Sequence, residues 1–155
     1  MKWKKLTLCL AVPLAVGGLS WALTRRGIEA FQTQTVHPPL TPPQWVFPVV
    51  WTALFLMMGL ASFLVWASEE QGRRVGGALE LYGLQLGLSL IWTVLFFTGR
   101  RYALAFFWLV AYWLLILWTA VKFFRCRRAA GWLMAPYLAW VAFAGYLNFA
   151  IWQLN

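Results

Sequence analysis

Gln85, Ser89 and Trp92 recur at i, i+4 and i+7 in a run almost bare of other polar groups. Tyr137, Trp140 (or Val141), Ala144 and Asn148 form a second stripe near the end of the chain. At helical periodicity each set shares one face. Amide and hydroxyl groups set among indoles can orient a ligand by hydrogen bonds, and the indole faces offer broad apolar area with one N–H donor each. Trp51 is a third candidate indole; it lies about two helical turns beyond the double proline that opens the segment Pro42-Pro43-Gln44-Trp45-Val46-Phe47-Pro48. The chemistry on offer is capture of a flat, hydrophobic, aromatic molecule. Conventional catalysis is poorly served: with four carboxylates, one histidine and two cysteines, no acid–base dyad, nucleophile–base pair or metal cluster emerges. His37 is readable as a haem ligand, a pH-sensitive group or a solvated loop residue.

Long apolar elements must position these residues. Of 155 residues, 63% are hydrophobic and only 11% charged, more apolar surface than a soluble domain of this size hides. Five runs, 6–23, 45–67, 78–98, 102–121 and 129–154, carry no charge except Glu80. Each is long enough, at about 1.5 Å per residue, to cross a bilayer core of about 30 Å. They are apolar on every face, which predicts helices rather than barrel strands. The fold class expected is all-α: one polytopic membrane domain over 1–155, a bundle of five transmembrane helices. The start, Met1-Lys2-Trp3-Lys4-Lys5 before an apolar run, also resembles a secretory signal. The run continues to Leu23 without a clear small-x-small cleavage site and is taken as the first span.

The net charge of +9 reads as topology rather than nucleic-acid binding. With five spans, one side holds nine basic residues: Lys2, Lys4, Lys5, Arg73, Arg74, Lys122, Arg125, Arg127 and Arg128. The other holds Arg25, Arg26, Arg100 and Arg101. The positive-inside rule then sets the N-terminus in the cytoplasm and the C-terminus outside, in a bacterial cell membrane, with basic span ends meeting anionic lipid. Cys9 and Cys126 both fall toward the reducing side, which argues against a disulfide.

The connections are short, with one exception. Gly99-Arg100-Arg101 joins adjacent antiparallel helices, and the segment from Ser68 to Gly77, with Glu69 and Glu70, reads as a polar flexible turn. The first connection, 24–44, contains four of the seven prolines together with Arg25, Arg26 and His37, and reads as a semi-rigid lid. Gly83 and Gly87 form a GxxxG pattern, a candidate dimer seam or an intramolecular packing site. Trp3, Trp21, Trp45, Trp66 and Trp132 lie near span ends and read as interfacial anchors; Trp108, Trp113 and Trp118 show no consistent helical spacing.

Three separated motifs carry a resemblance: Pro42-Pro43-Gln44-Trp45-Val46-Phe47-Pro48-Val49-Val50-Trp51-Thr52, then Gln85-Leu86 with Trp92-Thr93, then Pro136-Tyr137-Leu138-Ala139-Trp140-Val141-Ala142-Phe143-Ala144 with Leu147-Asn148. In this order, along nearly the whole chain, they are similar to the translocator protein family, also called tryptophan-rich sensory proteins or peripheral-type benzodiazepine receptors. The resemblance implies a five-helix bundle, commonly a homodimer, with a pocket closed by the first loop. It implies tetrapyrrole ligands such as protoporphyrin IX and haem, sterols in some members, and no required cofactor. The ligand-binding set it suggests is Pro43, Phe47, Trp51, Gln85, Ser89, Trp92, Tyr137, Trp140, Ala144 and Asn148, with Arg25, Arg26 or His37 meeting the propionates.

The family has also been linked to light-dependent porphyrin breakdown, in which two pocket tryptophans take part; their places here are held by Trp51 and Trp140. An enzyme using those indoles is therefore the alternative to a carrier or sensor, and a ligand-free structural subunit is a third reading. The chain departs from the family at Phe31-Gln32, where a Trp-Tyr pair is common, at Leu40, where a Trp is common, and at Ser89, where an Asn is common. No basic residue follows Tyr146, so the pattern associated with cholesterol is missing. The resemblance thus supports the helical pocket more than the loop contacts, and tetrapyrrole more than sterol or other lipid.

Overall fold

The computed structural model describes residues 2–68 and 73–155, apart from the side chains of Arg73 and Arg74. Glu69 and Glu70, part of the expected polar turn, lie outside the described residues. The elements are α1 (Lys2–Gln34), α2 (Val46–Trp66), α3 (Arg73–Thr93) continued by a π-helical turn (Val94–Thr98), α4 (Tyr102–Cys126), α5 (Arg128–Leu133) and α6 (Ala135–Leu154). Five helical stretches are long and apolar enough to cross a membrane, with α5 and α6 together forming the fifth. The chain is an all-α, integral membrane protein.

Three boundaries differ from the sequence reading. Helix α3 begins at Arg73, so Arg73–Gly77 of the expected turn is helical. The first connection is not a loop over 24–44: α1 runs on to Gln34, so Arg25 and Arg26 are helical. Nothing in Thr24–Gln34 breaks a helix, because Arg, Glu, Ala and Gln are good helix formers and the next proline is Pro38. The extension is also held by packing. A Cβ on Gly27 would lie 2.4 Å from the Phe97 carbonyl oxygen, so the glycine lets α1 press directly onto the π-helical backbone. Phe31 adds ring contacts with Phe96 and Phe97. Within the fifth span, Pro136 opens α6 in its first turn, where its missing N–H costs nothing, and this separates α5 from α6.

Helix α1 tolerates a buried proline, Pro13, for a related reason. Proline has no N–H, which frees the carbonyl four residues earlier, that of Cys9. That carbonyl faces Gly59 of α2, where an added Cβ would come within 2.7 Å. The two backbones therefore meet with no side chain between them, as small residues allow in membrane bundles. Gly17 repeats the device one turn on, against the Phe55 ring. The core runs through Met58, Ala61, Tyr112, Ile116, Phe123, Ala130, Met134, Tyr137 and Val141, drawn from every helix after α1 except α3, which adds Ala78, Leu86 and Trp92.

The tryptophans divide as their positions suggest. Trp3, Trp45 and Trp132 are exposed near helix ends, Trp21 is exposed in the middle of the lengthened α1, and Lys5 sits 4.8 Å from the Trp66 ring centre. Trp118 is 55% exposed. Trp108 and Trp113 are half-buried and act as struts: their indole N–H groups donate to the carbonyls of Leu88 (3.0 Å) and Leu138 (2.9 Å), tying α4 to α3 and α6. Gly83 and Gly87 are exposed, and a Cβ at either would meet nothing within 4 Å. They do not mediate packing inside the subunit.

Candidate binding site

The ten ligand-binding candidates separate into a buried polar layer and a partly exposed aromatic face. Gln85, Ser89, Trp92, Tyr137 and Asn148 are buried. Phe47, Trp51, Trp140 and Ala144 are half-buried, and Pro43 is exposed. The division follows from where the helices meet: α3 lies against α4 in the interior, whereas α2 and α6 touch only lightly and leave their facing aromatics partly open.

In the polar layer most groups are already matched. Trp92 Nε1 donates to Asn148 Oδ1 at 3.0 Å, and Asn148 Nδ2 donates to the Tyr102 carbonyl at 2.8 Å. Asn148 thus joins α6 to α3 and α4 with both ends of its amide. Tyr137 Oη donates to Gln85 Oε1 at 2.6 Å, and the Tyr112 hydroxyl bonds to that of Tyr137. Ser89 Oγ turns back to the Leu86 carbonyl of its own helix at 2.8 Å. Tyr112 was not singled out from the sequence. Its signal was a phenol at the middle of a largely apolar fourth span, easily counted as one more aromatic.

Two polar atoms of the site stay unmatched. Gln85 Nε2 and Trp140 Nε1 are buried without a hydrogen-bond partner. A buried unpaired donor costs about 1–3 kcal/mol, so both are poised to gain from an incoming acceptor. The rings around them link α2 to α6: Phe47 meets Trp140 edge-on at 5.8 Å, Trp51 meets Tyr137 edge-on at 6.2 Å, and Trp140 lies 5.6 Å from Phe143. A flat ligand can lie along this half-open face without breaking the hydrogen bonds behind it.

The loop-end candidates go elsewhere. His37 packs edge-on against Phe31 at 4.8 Å, and its Nδ1 is buried without a partner. Arg25 and Arg26 line a groove between α1 and the π-helical turn, and none of the ten candidates is part of its lining. The remaining connection is strapped down. Asn155 clamps Val36 through both amide ends, each at 3.0 Å, and Tyr146 Oη donates to the Pro39 carbonyl at 3.2 Å. Among the described residues no group of three or more His, Cys, Asp or Glu could hold a metal ion.

Membrane-spanning helices around a tryptophan-lined face with unmatched donors define a membrane sensor or binding protein. The model of the TspO/MBR family matches residues 9–153, and the chain belongs to that family. It is similar to the tryptophan-rich protein TspO of Chlorobaculum tepidum, 39% identical over 150 residues, covering 97% of this chain and 95% of that one. Protein CrtK of Rhodobacter capsulatus is 31% identical over 144 residues, with 93% and 89% covered. The translocator protein of Bos taurus is 35% identical over 146 residues, with 91% and 85% covered.

Proposed function

We propose that this chain binds a tetrapyrrole, protoporphyrin IX or haem, on the aromatic face between α2 and α6, as a carrier or sensor. The observation that carries the reading is the pair of buried, unmatched donors, Trp140 Nε1 and Gln85 Nε2, beside a run of half-open rings. The porphyrin plane would lie against Trp51 and Trp140, and its propionates, the only polar groups on its rim, would accept from the unmatched N–H groups. The protein would sit in a bacterial cell membrane with its N-terminus cytoplasmic and its C-terminus outside. It would pair as a homodimer through the open Gly83 and Gly87 face, and would need no cofactor. Titration of the purified protein with protoporphyrin IX in the dark tests the reading. Saturable binding that weakens in Trp140→Ala is expected; non-saturable uptake, or equal uptake by Trp140→Ala, would reject it.

A second reading, light-dependent porphyrin degradation, draws support from the contact between Trp51 and Tyr137. An indole would give an electron to the excited porphyrin, which passes it to dioxygen as superoxide; the phenol beside the indole would restore it, and the phenoxyl radical would recover an electron and a proton from the porphyrin being degraded. Loss of photoproduct in Trp51→Phe and Trp140→Phe, with dark binding retained, is the expected signature.

A further inference from the structure

The groove between α1 and the π-helical turn has a volume of about 490 Å³, and its walls include Leu23, Arg25, Arg26, Phe97, Thr98 and Arg100. Three guanidinium groups share it. Arg25 lies 5.8 Å from the Trp21 ring centre, and Arg100 Nη2 donates to Gln34 Oε1 at 2.8 Å. Among the described residues none of the three pairs with a carboxylate. All three are exposed, so packing does not require them.

The backbone holds this arrangement deliberately. Arg100 has φ 51°, a left-handed conformation that a residue with a side chain adopts at a cost, even though Gly99 stands next to it. The turn thereby brings Arg100 back over α1, where it meets Gln34. Thr98 Oγ1 donates to the Leu23 carbonyl at 3.3 Å, and the bare face of Gly27 seats α1 on Phe97. The groove lies where charge-free sequence ends in α1, at Leu23, and begins again in α4, at Tyr102. It is therefore at the membrane boundary, with arginines on its polar side and Leu23, Phe97 and the exposed Trp21 on its apolar side.

We propose that this groove is a binding site for the phosphate of an anionic phospholipid. The guanidinium forks take the phosphate oxygens in paired hydrogen bonds. The apolar wall and Trp21 lie along the start of the acyl chains, as aromatic residues do at bilayer interfaces. A free phosphate ion shares the headgroup chemistry but uses none of the apolar wall. The site is separate from the aromatic face and does not depend on what binds there.

The test is retention of phosphatidylglycerol against phosphatidylcholine by the delipidated full chain, read by native mass spectrometry. The wild type should retain phosphatidylglycerol preferentially. Near an anionic surface each basic residue contributes roughly a factor of five, so Arg25→Gln/Arg26→Gln/Arg100→Gln should lower retention about ten-fold or more. Arg101→Gln, exposed at the same end of the bundle but outside the groove's lining, should lower it less than about two-fold. Equal retention of the two lipids, or an equal loss in both variants, would overturn the proposal. Displacement of the lipid by millimolar inorganic phosphate would overturn the lipid assignment in favour of a free anion; persistence of the lipid supports it.

Discussion

Replacing Asn148 by Leu isolates one interhelical link. The side chain is fully buried and spans three helices through Trp92 Nε1 and the Tyr102 carbonyl. Leucine has the same branched shape with bulkier methyl ends, so it leaves no cavity. What remains is the Trp92 N–H, left buried and unpaired, at about 1–3 kcal/mol. The Tyr102 carbonyl suffers less, because it opens α4 and also accepts within that helix. Interhelical hydrogen bonds in membranes average about 0.6 kcal/mol with a maximum near 1.7, so a loss of about 1–2 kcal/mol is expected. The assay is reversible unfolding in mixed micelles, run as a cycle with Trp92→Phe. Once the indole N–H is gone, Asn148→Leu should cost markedly less, giving a coupling of about 1 kcal/mol. Additivity within about 0.3 kcal/mol would show that the two side chains do not share a bond and would refute the reasoning.

Three further outcomes are expected. Gly59→Leu should destabilise the bundle by about 1–3 kcal/mol in the same assay, because even a Cβ would press within 2.7 Å of the Cys9 carbonyl. Gly83→Leu/Gly87→Leu should not destabilise the subunit and should add up to about 1 kcal/mol per site through helix propensity, since nothing lies within 4 Å of either added Cβ; if these glycines form a dimer seam, cross-linking should shift from dimer to monomer. Asn155→Ala removes both clamps on Val36, and hydrogen exchange should quicken at the Val36 amide while the helical core is unchanged.

The five spans were legible because charge-free runs of this length have few other uses. The polar layer was legible for the same reason: Gln85, Trp92 and Asn148 had to be buried somewhere, and the helical period set them on facing stripes. The end of α1 was misread because Arg, Glu and Gln look like a loop by composition, yet they are helix formers, and packing of Gly27 and Phe31 on Phe97 is a tertiary fact. The bond between Tyr112 and Tyr137 was equally hidden, since it depends on which face of α4 turns inward. Nothing in Val94–Thr98 announces a π-helical turn. Spacing alone also could not tell that Asn148 has both amide ends occupied while the Trp140 N–H is unmatched.

The central claim, a flat tetrapyrrole held against two particular indoles, is tested most directly by fluorine NMR of the protein carrying 5-fluorotryptophan. Resonances of Trp51, Trp140, Trp3 and Trp118 would be assigned by single Phe substitutions. Protoporphyrin IX added in the dark should shift the Trp51 and Trp140 resonances in a saturable way through the porphyrin ring current, leaving exposed Trp3 and Trp118 in place. Shifts confined to Trp3 and Trp118, or growing with ligand without saturation, would mean that the porphyrin merely dissolves around the protein and would contradict the account.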